Sequence, residues 1–199
     1  MSKITRHVIL DLETLSTRPD AAILQIGAVC LDSEGNKLRE FEATIGQDIA
    51  GISAKRYGRH VSVDTLIWWE GQSIEARNSA LYAVNGERLD YKEAMLAFCN
   101  WFNYSGVKKE TAVWGRGPDF DNVILASSIE AVGLEIPWYY PNNRCLRTRM
   151  EDVDLDTKHY SRAENELEHT ALGDAKFEAR LFGISQAIIQ HRREMADDL

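Results

Sequence analysis

The segment His7–Thr14 reads HVILDLET, an apolar run that ends in two carboxylates, Asp11 and Glu13. Alternate residues of a β-strand point to the same face of a sheet, so an extended backbone places these two side chains side by side. Two like charges held that close repel each other and raise each other's pKa. An oxygen-preferring cation such as Mg²⁺ or Mn²⁺ would relieve the repulsion, whereas the commoner alternative is a strand that runs into an acidic loop.

Length and composition are those of a soluble globular protein. The chain has 199 residues, of which 44% are hydrophobic and 27% are charged, and this length is enough to bury one core. We expect a single domain over residues 1–199, with its core at about 7–183 and a C-terminal helical extension at 184–199. No apolar run is long enough to cross a bilayer, and the N-terminus leads straight into a strand, so we expect no signal peptide.

Cysteine content and net charge narrow the class of protein further. Three widely spaced cysteines fit neither a zinc site nor a disulfide framework, which predicts a cytoplasmic protein without a membrane partner. The net charge of −8 argues against a protein that coats nucleic acid. It is compatible with an enzyme that grips one strand end, because bound divalent cations supply local positive charge.

The first part of the chain predicts an antiparallel meander. A second strand over 24–31 precedes a turn cluster at 32–36, and Phe41 and Ala43 then alternate with polar residues as a third strand. Strands joined by short turns pair with their neighbours in antiparallel fashion. Residues 46–60, with three glycines and several basic side chains, are expected to form a mobile surface loop.

The remainder of the chain alternates helices with short strands, which gives an α/β pattern. The predicted elements are short helices from Ser62 and Ser73, a helix from Asp90 to Ser105 and Gly106, a strand at 111–114, a helix from about 119 to Gly133, a last strand at 144–148, a loop of poor order at 151–168 and a long helix at about 170–193.

Three further side chains with acidic or imidazole groups stand at the ends of predicted elements. Asp121 lies just inside a helix that follows a strand, His169 comes immediately before the last helix, and Asp174 lies in that helix's first turns. Such junctions are places where side chains converge over the edge of a sheet. Each residue alone is a weak signal, because an Asp near a helix start is usually a cap or a partner of the helix dipole.

Together these residues form the ordered motif Asp-x-Glu, Phe-Asp and His-x₄-Asp, which stands here as DLE at 11–13, FD at 120–121 and HTALGD at 169–174. The motif closely resembles the DEDDh branch of the DnaQ-like 3′–5′ exonucleases. This resemblance implies a ribonuclease H-like α/β fold, with an antiparallel three-strand meander plus parallel strands in one mixed sheet flanked by helices.

Three short sequence segments narrow the resemblance to one group of these exonucleases. The segments 68–73 (WWEGQS), 114–117 (WGRG) and 120–125 (FDNVIL) look like the phage and prophage exonucleases of the exonuclease-VIII-like group. That group is similar to the mycobacterial 3′–5′ exoribonuclease family and more distantly to T-even phage exodeoxyribonuclease A. The resemblance covers about residues 7–183 and implies a bacterial or phage-infected host cell as the protein's location.

The third acid of the motif, after Asp11 and Glu13, is assigned by its position next to Phe120. The family motif places this acid directly after Phe, which selects Asp121 over Asp119 and leaves Asp119 as an expected N-cap of the helix. DEDDh members often carry a His-Asn pair a few residues earlier, where this chain has Arg116 and Gly117. This departure changes the contacts expected at these two positions. It does not change the expected metal ligands.

The resemblance implies a metal-dependent phosphodiesterase. The carboxylates of Asp11, Glu13, Asp121 and Asp174 would hold two divalent cations, Mg²⁺ or Mn²⁺, with Asp11 as the shared ligand. His169 would act as the general base, a task that suits the unperturbed pKa of histidine, about 6.5. The reaction would release nucleoside 5′-monophosphates from a 3′ end.

Contacts with the terminal nucleotide are also implied by the resemblance. The segment after the first Glu makes Leu12, Thr14 and Leu15 candidates, with backbone at Thr14 for the 3′-hydroxyl and the leucines against the base. Arg116 and Asn122 are further candidates. Ordinary packing in a loop is the alternative role for Leu12, Thr14 and Leu15.

Two tryptophans and several arginines remain as candidates for contacts with the strand. Trp69 is a candidate for base stacking, but adjacent helical residues point apart, so at most one of Trp68 and Trp69 can face a cleft while the other packs in the core. Arginines that could pair with phosphates, or simply lie on a solvated face, are Arg116, Arg144, Arg147 and Arg149.

The expected partner is single-stranded or 3′-overhanging RNA or DNA, because an intact duplex end would first cost unpairing energy. The alternatives are a catalytically silent module that binds nucleic-acid ends, or a metal-dependent endonuclease or phosphatase. A silent module should have lost one of the five motif residues, and the other enzymes do not predict His169-x₄-Asp174. A homodimer through 91–104 or 46–60 is a further possibility.

Overall fold

A computed structural model of the chain describes residues 5–84, 86–105 and 110–197. It contains a five-stranded sheet in the order β3-β2-β1-β4-β5. The strands are β1 (His7–Thr14), β2 (Ile23–Leu31), β3 (Lys37–Thr44), β4 (Ala112–Gly115) and β5 (Asn143–Cys145). β1, β2 and β3 pair antiparallel, and β4 runs parallel to β1 and to β5. The predicted mixed sheet with its antiparallel meander is therefore confirmed.

Helices flank this sheet on both faces. They are α1 (Gln47–Tyr57), α2 (Val63–Glu70), α3 (Ile74–Ala76), which continues as a π-helical turn at Arg77–Leu81, α4 (Tyr91–Ser105), α5 (Asp121–Ala131), α6 (Leu146–Asp152) and α7 (Ala171–Asp197). Gly106, the predicted end of α4, lies outside the described residues. Over the described ranges, none of the helices has both the length and the apolar composition that a bilayer-spanning segment requires.

The prediction of a mobile loop at 46–60 is wrong, because most of this segment forms helix α1. Ala50 and Ser53 are buried, and Ile49, Ala54 and Tyr57 pack against the core, so the segment has an apolar face at helical spacing. Gly58 then ends the helix in the left-handed region, at φ 63°, and its N–H donates to the carbonyl oxygen of Ala54.

The C-terminal elements also differ from their predictions. The last strand is only Asn143–Cys145, and the chain turns into α6 at Leu146, where a strand over 144–148 was predicted. Of the segment 151–168, the first two residues complete α6, and the rest is irregular apart from a 3₁₀ turn at Thr157–His159. It is fastened to α7, because the Arg180 guanidinium lies 2.7 Å from the Glu166 carboxylate, which does not fit the predicted poor order.

The two faces of β1 belong to different cores. Val8, Leu10 and Leu12 pack into the core that α4 and α5 share, whereas Ile9 packs with Phe182 and other side chains of α7. Asp11 and Glu13 have the parity of Ile9, so they lie on the face that α7 covers. The two-residue period of β1 therefore makes α7 the helix whose side chains can contact Asp11 and Glu13.

We expect Gly27→Ala to destabilise the protein by about 1–3 kcal/mol or more. An added Cβ would lie 2.1 Å from the carbonyl carbon of Ala171, so α7 would have to move away from β2. Urea unfolding of the wild type and the variant measures the loss of stability. The matched control is Gly51→Ala inside α1, where no atom lies within 4 Å of the added Cβ and helix propensity favours Ala by about 1 kcal/mol. Equal stability of Gly27→Ala and wild type would contradict the close contact.

Candidate metal and nuclease site

Strand β1 brings two of the predicted residues to one place. Asp11 stands opposite Gly27 and Glu13 opposite Gln25 in the register with β2. Glu13 is 7% exposed, so its carboxylate is largely removed from bulk water. The two side chains share the α7 face, as the spacing of the sequence predicts.

The start of α7 is held against this part of the sheet. Gln25 is buried, and its Oε1 accepts a hydrogen bond from the backbone N–H of Ala171 at 3.3 Å. Because Gly27 lacks a Cβ, the first turn of α7 approaches β2 closely. Asp174, in this first turn, is thereby placed next to the carboxylates of β1.

His169 is fixed by its own backbone. It is a non-glycine residue in the left-handed region, at φ 57°, and its N–H donates to Asp174 Oδ2 at 2.9 Å. Ligand atoms of Glu13, His169 and Asp174 all lie within 4.8 Å of one another. Residues separated by more than 150 positions in the sequence thus form one group of possible cation ligands.

Asp121 reaches the same region from β4 and α5. It is the first residue of α5 and is 4% exposed. A Cβ at Gly115, the last residue of β4, would lie 2.9 Å from Asp121 Oδ2, so the absence of a side chain there makes room for the carboxylate. The predicted N-cap role of Asp119 is wrong, because Phe120 is the N-cap residue and Asp119 is exposed.

Burial raises the pKa values of Asp11 and Asp121, and repulsion by neighbouring carboxylates raises that of Asp11 further. Burial is the largest cause for Asp11, whose pKa lies well above its ordinary value, and the charges of Asp121, Glu178, Glu13 and Asp174 add to the increase. Burial raises the pKa of Asp121 to about 7, against the opposing effect of backbone hydrogen bonds. These carboxylates therefore lack a compensating positive charge.

Glu13 and Asp174 share this electrostatic environment but have a positively charged side chain, Arg162, beside them. Burial raises the pKa of both carboxyl groups, and the charge of Asp174 raises that of Glu13 further. Arg162 opposes both shifts and forms an ion pair with Asp174 Oδ1. Asp174 thus binds the backbone of His169 with one oxygen and a guanidinium with the other.

We expect the free energy of unfolding of the metal-free protein to fall as pH rises from about 4 to 8. A carboxyl group with a raised folded-state pKa keeps its proton in the folded state after the unfolded chain has lost it, at a pKa of about 4. The resulting stabilisation is complete below that pH and is lost as pH rises through the folded-state value, about 7 for Asp121.

Thermal unfolding in EDTA between pH 4 and 8 measures this dependence. Asp121→Asn should reduce the decline because it removes one of the groups that titrate. Parallel declines in the wild type and the variant would contradict the raised pKa of Asp121.

A fifth carboxylate, Glu178, escaped the sequence analysis. It is 3% exposed, and burial together with the charge of Asp121 raises its pKa to about 8. Glu178 follows Asp174 by four residues, so both lie on the same face of α7. That spacing was the available signal, although it could not show that this face meets the sheet.

A cavity of about 490 Å³ opens beside the carboxylates, and we name it the Trp68 cleft. Its lining residues are Leu12, Glu13, Thr14, Thr17, Ser62, Asp64, Thr65, Trp68 and Phe120. Trp68 is 45% exposed, and its ring packs edge-on against the ring of His169 at a centroid distance of 5.1 Å. The cleft therefore connects an aromatic surface with the predicted general base.

Other candidates for substrate contact have roles inside the fold. Trp69 is fully buried and donates from Nε1 to the Thr14 carbonyl oxygen at 2.9 Å, and Leu15 is 1% exposed in the core. Asn122 is also fully buried and donates to the Val113 carbonyl oxygen at 3.0 Å. Of the candidate set, Leu12 and Thr14 are the ones that line the Trp68 cleft.

The predicted arginines occupy different environments. Arg116 is about half exposed, and its Nη1 lies 3.7 Å from Glu178 Oε1. Arg147 lines a small cavity with Arg116. Arg144 donates to the Pro141 and Asn143 carbonyl oxygens, while Arg149 donates to Ser185 and lies over the Phe182 ring. Of these four arginines, Arg116 and Arg147 thus line the cavity that Glu178 also lines.

A larger open hollow of about 1060 Å³ lies beside α1, away from the predicted residues. Its lining includes Lys55, Arg56, Arg88 and one carboxylate, Asp48. The Asp48 carboxylate lies 2.7 Å from the Arg88 guanidinium. This hollow therefore lacks the crowded acids of the site at β1 and α7.

The donor set at β1, α5 and α7 fits hard divalent cations. Its ligands are mainly carboxylate oxygens, which suit Mg²⁺ and Mn²⁺. Glu178 Oε2 is buried without a hydrogen-bond partner in the part of the chain that the structure describes. Crowded acids with raised pKa values and a buried free oxygen are what a site adapted to bound cations should show in their absence.

Comparison with known proteins identifies related sequences. The family model for the 3′–5′ exoribonuclease Rv2179c-like domain matches residues 6–185. The exodeoxyribonuclease of Enterobacteria phage T4 is 24% identical over 165 residues, which are 74% of this chain and 71% of that protein.

Solved structures of E. coli exonuclease I have a similar fold. The complex with a dT13 oligonucleotide matches with a TM-score of 0.63 at 15% identity, over 95% of this chain and 42% of that chain. The complex with a dA16 oligonucleotide gives a TM-score of 0.61 at 15% identity, over 91% and 40% of the two chains. The chain thus spans about two fifths of the length of these proteins. The likeness confirms the predicted ribonuclease H-like fold.

Proposed function

Because this chain belongs to the Rv2179c-like 3′–5′ exoribonuclease domain family, we propose that it is a metal-dependent 3′–5′ exonuclease acting on single strands or 3′ overhangs. The observation that carries the proposal is the convergence of the five predicted residues from β1, α5 and the start of α7. These residues come from three widely separated parts of the sequence, and carboxylates crowded together away from water are costly unless they are paired or coordinate a cation. All five belong to one chain, so the proposed reaction does not depend on the predicted homodimer.

Two groups of side chains would hold the cations. Glu13 and Asp174 would form one site with their neighbouring oxygens, Asp121 would support the other, and Asp11 would be common to both. Divalent cations, when bound, lower the pKa of water and stabilise negative charge on a leaving oxygen. The protein's contribution is to keep these carboxylates buried and fixed before the substrate arrives.

His169 would take up the proton of the attacking water. Its backbone is anchored to Asp174, and its ring packs edge-on against the ring of Trp68, which lines the cleft. A scissile phosphodiester whose terminal base stacks on Trp68 would therefore lie within reach of the imidazole. A base placed there can act on a water in line with that bond.

The Trp68 cleft is the proposed site of the terminal nucleotide. Trp68 offers a half-exposed indole for stacking on a base, and it takes the place that the sequence analysis gave to Trp69. Leu12 and the backbone at Thr14 form the wall next to Glu13. Trp69 supports that wall through its hydrogen bond to the Thr14 carbonyl oxygen.

RNA and DNA are both proposed substrates. The matching family model is described as an exoribonuclease, whereas the phage T4 relative is an exodeoxyribonuclease and the exonuclease I structures contain DNA oligonucleotides. A protein distinguishes the two through contacts to the 2′-hydroxyl. Four hydroxyl side chains that could make such contacts line the Trp68 cleft, namely Thr14, Thr17, Ser62 and Thr65.

Degradation of matched 5′-labelled single strands tests the proposed function. One RNA and one DNA of the same sequence are incubated with Mg²⁺, with Mn²⁺ and with EDTA. We expect stepwise shortening with either cation and none in EDTA, and the ratio of the RNA and DNA rates gives the substrate preference. Binding of both strands without shortening would support the silent binding module.

A further inference from the structure

The buried carboxylate of Glu178 has no assigned partner for one of its oxygens. The residue is 3% exposed, and Oε2 has no hydrogen-bond partner among residues 5–84, 86–105 and 110–197. Burial of a charged group without a partner is costly, and native proteins avoid it unless the site serves a purpose. The position is therefore one where a ligand is expected.

The surroundings of Glu178 point to a cation as that ligand. Asp174 precedes it by one turn of α7, and the charges of Asp121 and Asp174 both act on Glu178. Its own charge acts on Asp11 in turn. Glu178 is thus close enough to the other acids for their negative charges to repel one another, and a buried carboxylate in such surroundings is stabilised by a positive charge.

Arg116 does not account for this carboxylate. The guanidinium Nη1 lies 3.7 Å from Glu178 Oε1, which is longer than a hydrogen bond, and the Arg116 side chain is 45% exposed. An ion pair with a half-solvated arginine is worth little. It also engages only one of the two carboxylate oxygens and leaves Oε2 without a partner among the described residues.

We propose that Glu178 is a fifth carboxylate of the divalent-cation site, which contributes its negative charge and its free Oε2 to holding the cation. This inference rests on the proposed function, because it assumes that the four predicted carboxylates bind a cation at all. It adds a residue from the middle of α7 to the predicted set, on the side of the site that faces Arg116.

Titration of the metal-free protein with Mn²⁺ alone, followed by calorimetry, tests the proposal without substrate. Glu178→Gln keeps the shape of the side chain and removes the charge, and we expect the Kd for Mn²⁺ to rise by about 10- to 100-fold. Arg116→Gln removes a nearby positive charge and should leave the Kd unchanged or lower it. Glu151→Gln is the matched control, because Glu151 is an exposed carboxylate that lines the same small cavity as Arg116 and Glu178.

Thermal unfolding in EDTA separates a cation ligand from a structural residue. We expect Glu178→Gln to unfold at the wild-type temperature or higher, because the substitution removes one member of a crowded set of acids. A marked loss of stability in EDTA, a wild-type Kd for Mn²⁺, or an equal weakening in Arg116→Gln would overturn the proposal. Absence of Mn²⁺ binding by the wild type would overturn the proposed function itself, and with it this inference.

Discussion

Replacement of Asp11 by asparagine is expected to lower kcat by about 10³-fold or more. Electrostatic stabilisation by bound cations is worth several kcal/mol, and each 1.4 kcal/mol or so is a factor of ten in rate. Asp11 is the carboxylate on which the charges of Asp121, Glu178, Glu13 and Asp174 all act. Its loss should therefore weaken both proposed cation positions, and release of labelled nucleotide from a single strand measures the effect.

The control for this substitution is Asp119→Asn. Asp119 is the exposed neighbour of the third acid and is not the N-cap of α5, so its variant should keep wild-type kcat. Asp11→Asn should also fold normally in EDTA, because it removes a buried like charge. Wild-type turnover by Asp11→Asn, or inactivity of Asp119→Asn, would contradict the proposed centre.

Replacement of His169 by alanine is expected to lower kcat by about 10²- to 10⁴-fold, the usual contribution of a general base. The geometry also allows another role, because a ring nitrogen of His169 lies within 4.8 Å of a carboxylate oxygen of Glu13 and of Asp174. The two roles differ in their effect on cation binding. If His169 acts only as a general base, His169→Ala should leave the Kd for Mn²⁺ within about twofold of the wild-type value, a change of under half a kcal/mol.

Measurement of kcat and of Mn²⁺ affinity on the same preparation distinguishes these roles. His159→Ala is the matched control, since His159 is largely exposed on the 3₁₀ turn of the segment before His169. A parallel loss of Mn²⁺ affinity and turnover in His169→Ala would identify His169 as a cation ligand.

Features set by local spacing could be predicted from the sequence. The parity of Asp11 and Glu13 follows from the two-residue period of β1 alone. The boundaries of β1 and the long helix α7 follow from periodicity in the same way. The ribonuclease H-like sheet was predicted from the family resemblance, because no local sequence pattern indicates that β4 lies parallel to β1.

Features set by tertiary contacts could not be predicted. The rule that adjacent helical residues point apart is correct for Trp68 and Trp69, but only the packing of α2 against β1 decides which one is buried. Glu178 is one of many charged residues on α7, and its burial follows from the packing of that helix against the sheet. In α1 the glycines were misleading, because Gly46 and Gly58 flank the helix and only Gly51 lies inside it.

The most direct test of exonuclease action compares a linear single strand with the same strand ligated into a circle. Both are incubated with the protein and Mg²⁺ or Mn²⁺, and a linear strand with a blocked 3′ end serves as the control for polarity. We expect stepwise loss of nucleoside 5′-monophosphates from the free 3′ end, with the circle intact and the blocked strand spared. Cleavage of the circle would contradict the proposal and identify the protein as an endonuclease.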